Sequence, residues 1–214
     1  CIPTKALIKS AKVFEYINHA SEYGITVEGG KADFDAIIKR SRGVADGMSK
    51  GIQFLLKKNK IDTIFGNGML KKGKKVEVTS ADGKKTIYEA NNIIIATGGR
   101  AKELPGISID HKNIIGYREA LALDKLPKSM VVIGAGAIGV EFAYFYHSLG
   151  TKITVVEFME NGLVPREDAD VSKELNKIYK KKGIQVLGNT AVEKIESAGG
   201  SSKVTVKDRK TGAS

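Results

Sequence analysis

Apolar residues at Leu7, Ile8, Ala11, Phe14 and Ile17 recur at the spacing of one helix face and predict a helix over residues 4 to about 22. A second helix is expected after Asp33, whose side chain suits an N-cap. Phe34, Ile37, Ile38, Val44, Ala45, Met48, Ile52 and Leu55 follow it at three- and four-residue intervals. The period then shortens. Ile61–Phe65 alternates as a half-buried strand does, and Lys75–Thr79 and Lys85–Tyr88 flank Asp82-Gly83, the composition of a β-hairpin. Asn92-Ile93-Ile94-Ile95-Ala96 is apolar at consecutive positions, which predicts a strand buried on both faces of a parallel sheet.

From His111 to Ser129 the chain is polar, with a short helical stretch at Arg118–Leu123, and a domain boundary is expected there, after about residue 112. Beyond it Met130–Ile133, a glycine-rich turn, a helix to about Leu149 and Lys152–Val156 read as β-α-β. A helix over about Val171–Lys182 and a strand over Ile184–Leu187 extend it. Alternation of this kind is the signature of a doubly wound α/β sheet, and no internal repeat interrupts it.

The turn carries the clearest chemistry. Gly134-Ala135-Gly136-Ala137-Ile138-Gly139 lies between a strand and a helix, the context in which G-x-G-x-x-G binds a dinucleotide. Gly134 permits a tight turn, Gly136 lets the backbone approach a pyrophosphate, and Gly139 lets the helix pack closely on the strand. The helix's free N–H groups and positive dipole end then face the phosphates. Glu157 closes the next strand, near the spacing of about 20 residues at which a carboxylate accepts from the adenosine ribose hydroxyls. A carboxylate there repels a 2′-phosphate, so NAD is expected rather than NADP. The plainer alternative is a glycine turn that only joins strand to helix.

Composition narrows the class without naming it. With 42% hydrophobic and 28% charged residues the chain can bury a core. No apolar run reaches the roughly 20 residues of a membrane span, and a lone cysteine forms no internal disulfide, so cytoplasm is the default compartment. The formal charge of +11 invites a nucleic-acid reading. Its lysines are dispersed over predicted turns and helix ends, however, with no interleaved aromatics to stack bases, and a solvated surface is the better account. The chain opens at Cys1 directly into helix and closes at Ser214 just after a strand-like Lys203–Val206. An interior piece of a longer protein is expected.

Cys1-Ile2-Pro3-Thr4-Lys5-Ala6-Leu7 resembles the second half of the redox-active stretch of the pyridine nucleotide-disulfide oxidoreductases. Ala96-Thr97-Gly98-Gly99-Arg100 with Leu104-Pro105-Gly106, and Gly134 through Glu141, match that family in the same order, so the likeness spans almost the whole chain. With the NAD-type Glu157 it is most similar to the dihydrolipoamide dehydrogenase branch. Mercuric reductases and other disulfide reductases are the nearer rivals, and a non-catalytic nucleotide-binding module or a basic partner-binding protein the remoter ones.

The resemblance implies two Rossmann-like domains, both incomplete: an FAD domain over 1–112 and an NAD domain over 113–214. It implies that Cys1 is the thiol next to the flavin, with its partner thiol upstream, and that Lys5 and Glu141 pair beside the flavin. Gly68, Thr97, Gly98 and Gly99 would contact FAD through the backbone. The run Gly134, Ala135, Gly136, Ala137, Ile138, Gly139, Val140 and Glu141, with Glu157 and Val192, would hold NAD. Taken alone, Lys5 reads as a surface lysine, Glu141 as a first-turn glutamate favoured by the helix dipole, and Gly68 and Thr97–Gly98 as turn residues. The implied reaction oxidises dihydrolipoyl groups on the lipoyl domain of a 2-oxoacid dehydrogenase or glycine cleavage complex, in a homodimer, with no nucleic-acid or membrane partner and no metal. Its catalytic base would come from a further domain, and His19, His111 and His147 match no such base.

Overall fold

The computed structural model describes residues 1–214, the side chain of Ala198 excepted. The chain divides into two compact units, Cys1–Ala45 with Ala101–Ser214, and Asp46–Arg100. This division by packing differs from the division by cofactor near residue 112. The reason is α1 (Ile2–Asn18), which packs on α4 (Ala137–Ser148) and so joins the later half of the chain.

In the first unit β4 (Ser129–Ile133), β5 (Lys152–Val156) and β6 (Gln185–Leu187) form a parallel sheet in that order. The crossovers are α4 and α5 (Ala169–Lys181). Because α4 is apolar on nearly every side, it is enclosed rather than amphipathic. Val140, Phe142, Ala143, Phe145 and Tyr146 are all buried, and Leu7 and Ala11 of α1 close over it with no exposed surface. Each such large side chain removed from water contributes about 1.5–3 kcal/mol. The buried tyrosines keep their polar ends satisfied: Tyr146 O–H donates to the Ala120 carbonyl at 2.5 Å and Tyr179 O–H to the Val140 carbonyl at 2.7 Å. A short helix α3 (Tyr117–Ala120) precedes the sheet, and the hairpin of β7 (Thr190–Ala198) and β8 (Ser201–Asp208) ends the unit.

A polar clasp reinforces α1. Tyr144 O–H of α4 donates to Glu15 at 2.7 Å, and the Lys182 ammonium at the end of α5 donates to the other Glu15 oxygen. Burial would raise the Glu15 carboxyl, but these two donors outweigh it and hold it below the usual carboxylate range. Burial first, and the bond to Glu15 second, push the Tyr144 hydroxyl up to about 12.

The second unit takes the later part of α2 (Phe34–Lys58) and an antiparallel meander of β1 (Asn67–Lys71), β2 (Lys75–Thr79) and β3 (Lys85–Glu89). At the start of α2 the Asp33 carboxylate accepts from Ala36 N–H at 3.0 Å, the expected N-cap. Two strand assignments need correction. Ile61–Phe65 is irregular, because the pairing that begins at Lys71↔Lys75 reaches Asn67↔Thr79 and there β2 ends in the Ser80–Lys84 turn. Ile93–Ala96 forms no strand among the described residues, and Ile94 is 91% exposed. An apolar run of this kind becomes a strand only when neighbouring strands supply backbone partners. The fold is therefore mixed α/β, with one parallel and one antiparallel three-stranded sheet. Among the described residues, no helix is long and apolar enough to cross a membrane.

Docking of α1 should depend on pH at both limits. A depressed Glu15 pKa contributes stability above its ordinary value of 4.5 that is lost as pH falls below it. A raised Tyr144 pKa contributes stability below 10 that is lost as pH rises toward about 12. The melting midpoint should fall at each end, and Glu15→Gln should flatten the acid limb; an acid limb identical in the variant would assign it to other groups.

Candidate functional site

The glycine-rich turn between β4 and α4 is built as its sequence requires. Gly134 adopts φ +98°, a region that favours glycine, while its N–H donates to the Val156 carbonyl at 2.8 Å. A Cβ on Gly139 would lie 2.0 Å from the Gly134 carbonyl oxygen, so only glycine lets the helix start this close to the strand. A Cβ on Gly136 would meet nothing within 4 Å, which leaves open space on that side of the turn. The N-cap Gly136 offers no side chain, so the first-turn amides of Ala137, Ile138 and Gly139 have neither a capping side chain nor an acceptor within the helix. They are donors of the kind that hold an anion.

Glu157 is only 8% exposed, and its carboxylate is engaged on both oxygens. One carboxylate oxygen accepts from Ala135 N–H at 2.7 Å and the other from Met159 N–H at 2.8 Å. The carboxylate therefore joins the glycine turn to the segment leaving β5. Each oxygen retains a second acceptor position, enough for two ribose hydroxyls. A cleft of about 290 Å³ opens here, lined by Gly136, Ala137, Glu157, Met159 and the 164–167 segment. Its size, open glycine, free amides and acceptor carboxylate fit part of a dinucleotide. Val192 lies early in β7, opposite Val206 and beside the bulge before Lys194, and Thr190 N–H ties the start of that strand to the Glu157 carbonyl.

The second expected cluster comes together in part. Lys5 Nζ of α1 meets Glu141 of α4 at 2.5 Å, 136 positions away in sequence, with the two side chains 60% and 28% exposed. Cys1 is the exposed, free N-cap of α1, and its carbonyl accepts from Lys5 N–H at 3.0 Å. Gly68 sits in β1, where an added Cβ would make only ordinary contact with Val76. Thr97, Gly98 and Gly99 are exposed irregular backbone, with Gly98 at φ +78°. Among the histidines, His19 pairs with Glu22 and His111 with Glu119, both on the surface, and His147 lies in the last turn of α4. No group of acidic, histidine and cysteine side chains suited to a metal occurs among the described residues.

Periodicity gave no hint of Met159, whose N–H donates to the Glu157 carboxylate, or of Val164, whose N–H donates to the Ala135 carbonyl. The Lys5–Glu141 pair is too exposed to matter much for stability, since such pairs contribute at most about 1 kcal/mol. Lys5→Met should lower the unfolding free energy by about that amount or less in denaturant titration. A loss of several kcal/mol would make the pair a structural one.

Residues 1–213 match the family described as pyridine nucleotide-disulphide oxidoreductase. The chain is 45% identical over 197 residues to the dihydrolipoyl dehydrogenase of Chlorobaculum parvum, which covers 90% of this chain and 42% of that protein. Among solved structures, LpdA from Mycobacterium tuberculosis superposes with a TM-score of 0.86 at 28% identity, covering 97% of this chain and 46% of that one. The flavoprotein disulfide reductase RclA from Escherichia coli gives 0.75 at 25% identity, covering 96% and 43%. The chain thus spans less than half the length of the relatives it matches. With the family match covering residues 1–213 and these relatives covering nine-tenths or more of the chain, the chain belongs to the pyridine nucleotide-disulphide oxidoreductase family.

Proposed function

We propose that this chain is part of a dihydrolipoyl dehydrogenase, which oxidises protein-bound dihydrolipoyl groups with NAD as acceptor. The observation that carries the reading is the glycine turn with its buried carboxylate: free first-turn amides on one side and Glu157 on the other, about a common cleft. FAD and NAD, when bound, supply the electron and hydride chemistry, and the protein orients them.

In this reading the amides of Ala137, Ile138 and Gly139 hold the NAD diphosphate and Glu157 accepts from the adenosine ribose. Val192 offers its backbone to the adenine, with Gly134 to Glu141 forming the rest of the nucleotide segment. Gly68, Thr97, Gly98 and Gly99 serve FAD, in an FAD domain over 1–112 followed by an NAD domain over 113–214, each Rossmann-like. Cys1 is the thiol facing the flavin. The Lys5 ammonium, oriented by Glu141, stabilises negative charge on the Cys1 thiolate and on the reduced flavin, which is why an exposed pair of little structural worth sits at that end of α1. The electron donor is a lipoyl domain of a 2-oxoacid dehydrogenase or glycine cleavage complex, and the working enzyme is a cytoplasmic homodimer.

A second reading, a disulfide reductase of the same family with another substrate, is favoured by the likeness to RclA. The two separate on lipoamide: the first expects lipoamide-dependent NADH turnover in the full-length protein, the second does not.

Glu157→Ala in the full-length enzyme should lower kcat/KM for NAD by roughly 10- to 150-fold, the loss of hydrogen bonds to a charged group. Flavin reduction by the dithiol should stay nearly unchanged. An unaltered NAD-to-NADP ratio of kcat/KM would remove Glu157 as the ribose ligand.

A further inference from the structure

Opposite the glycine turn, Val164 holds a backbone conformation that its sequence disfavours twice. Its φ is +43°, an outlier for a β-branched residue, and it precedes Pro165, which steers the preceding residue toward extended backbone. Such strain persists only where surrounding contacts overdetermine it, and it gathers at ligand clamps. The contacts are present. Val164 N–H donates to the Ala135 carbonyl at 2.7 Å, while the Val164 carbonyl accepts from the Ser172 hydroxyl at 2.8 Å and from Glu167 N–H at 3.0 Å. Leu163 beside it is fully buried, and its N–H donates to Asn176, whose amide donates in turn to the Asn161 and Ser172 carbonyls. Ser172 is itself 2% exposed.

Ala135 is therefore gripped at both ends of its peptide groups: the N–H by Glu157, the carbonyl by Val164. We propose that Val164, fastened by Ser172 and Asn176, is a positioning residue that holds the glycine turn in its diphosphate-binding form before the nucleotide arrives. The inference rests on the reading of that turn as the NAD site. Its physical content is preorganisation. A turn already fixed loses less freedom on binding, because the cost of ordering it is met in folding. Val164 touches the turn and not the reacting atoms, so it should govern nucleotide affinity and leave chemistry alone.

The test measures binding of ADP-ribose, which carries the diphosphate without the nicotinamide, to full-length protein by calorimetry. Ser172→Ala should weaken ADP-ribose by up to about tenfold, the limit if the lost buried hydrogen bond falls wholly on the free state, and raise KM for NAD with little change in kcat. Asn176→Ala loosens the same segment at a less buried point and should act in the same direction, keeping the test available where Ser172→Ala fails to fold. Wild-type affinity in folded Ser172→Ala or Asn176→Ala would overturn the proposal while leaving the NAD reading intact. Failure of the wild-type enzyme to bind ADP-ribose would instead remove the NAD reading on which it depends.

Discussion

The arrangement depends above all on one buried carboxylate. Glu157 closes β5 and bridges two backbone amides, Ala135 on the glycine turn and Met159 on the segment that leaves the strand. Without an acceptor the Ala135 N–H would be buried and unpaired, which costs about 1–3 kcal/mol. In the proposed reading, the side chain that offers acceptors to a ribose also keeps the glycine turn in shape. Recognition and architecture share a residue, so mutations there report on both.

Around that point the packing is cooperative. Gly139 brings α4 against Gly134, the enclosed face of α4 then packs on the sheet, and α1 closes over α4 through Leu7 and Ala11. Glu15, with Tyr144 and Lys182, secures one end of α1, and Lys5 with Glu141 marks the other. These clasps differ in kind. In the first, partly buried, the Glu15 carboxyl is lowered and the Tyr144 hydroxyl raised; the second is largely open to solvent, with Lys5 the more exposed partner.

Much of this was legible in the residues. The period-3.6 patterns of α1 and α2, the Asp33 cap, the hairpin about Asp82-Gly83 and the β-α-β run from Ser129 to Leu187 follow from local spacing, and local spacing is what the structure obeys there. The glycines were legible because each answers a distinct steric demand. Ile93–Ala96 was misleading because consecutive apolar residues alone do not make a strand: none of the described strands pairs with it, and Ile94 is left 91% exposed. β7 was hidden by its polar composition and its bulge. The grip of Val164 on Ala135 left no signal either. It is a contact between backbone atoms far apart in sequence, at a residue whose type argues against the conformation it adopts.

The central claim is that the turn and Glu157 form a single preshaped dinucleotide site, and a crystal structure of the full-length protein with NAD tests it most directly. The account predicts the diphosphate against the amides of Ala137, Ile138 and Gly139, and the adenosine ribose on Glu157. The carboxylate should still accept from Ala135 and Met159. A nucleotide bound elsewhere, or a Glu157 that abandons Ala135 to reach the ribose, would contradict it.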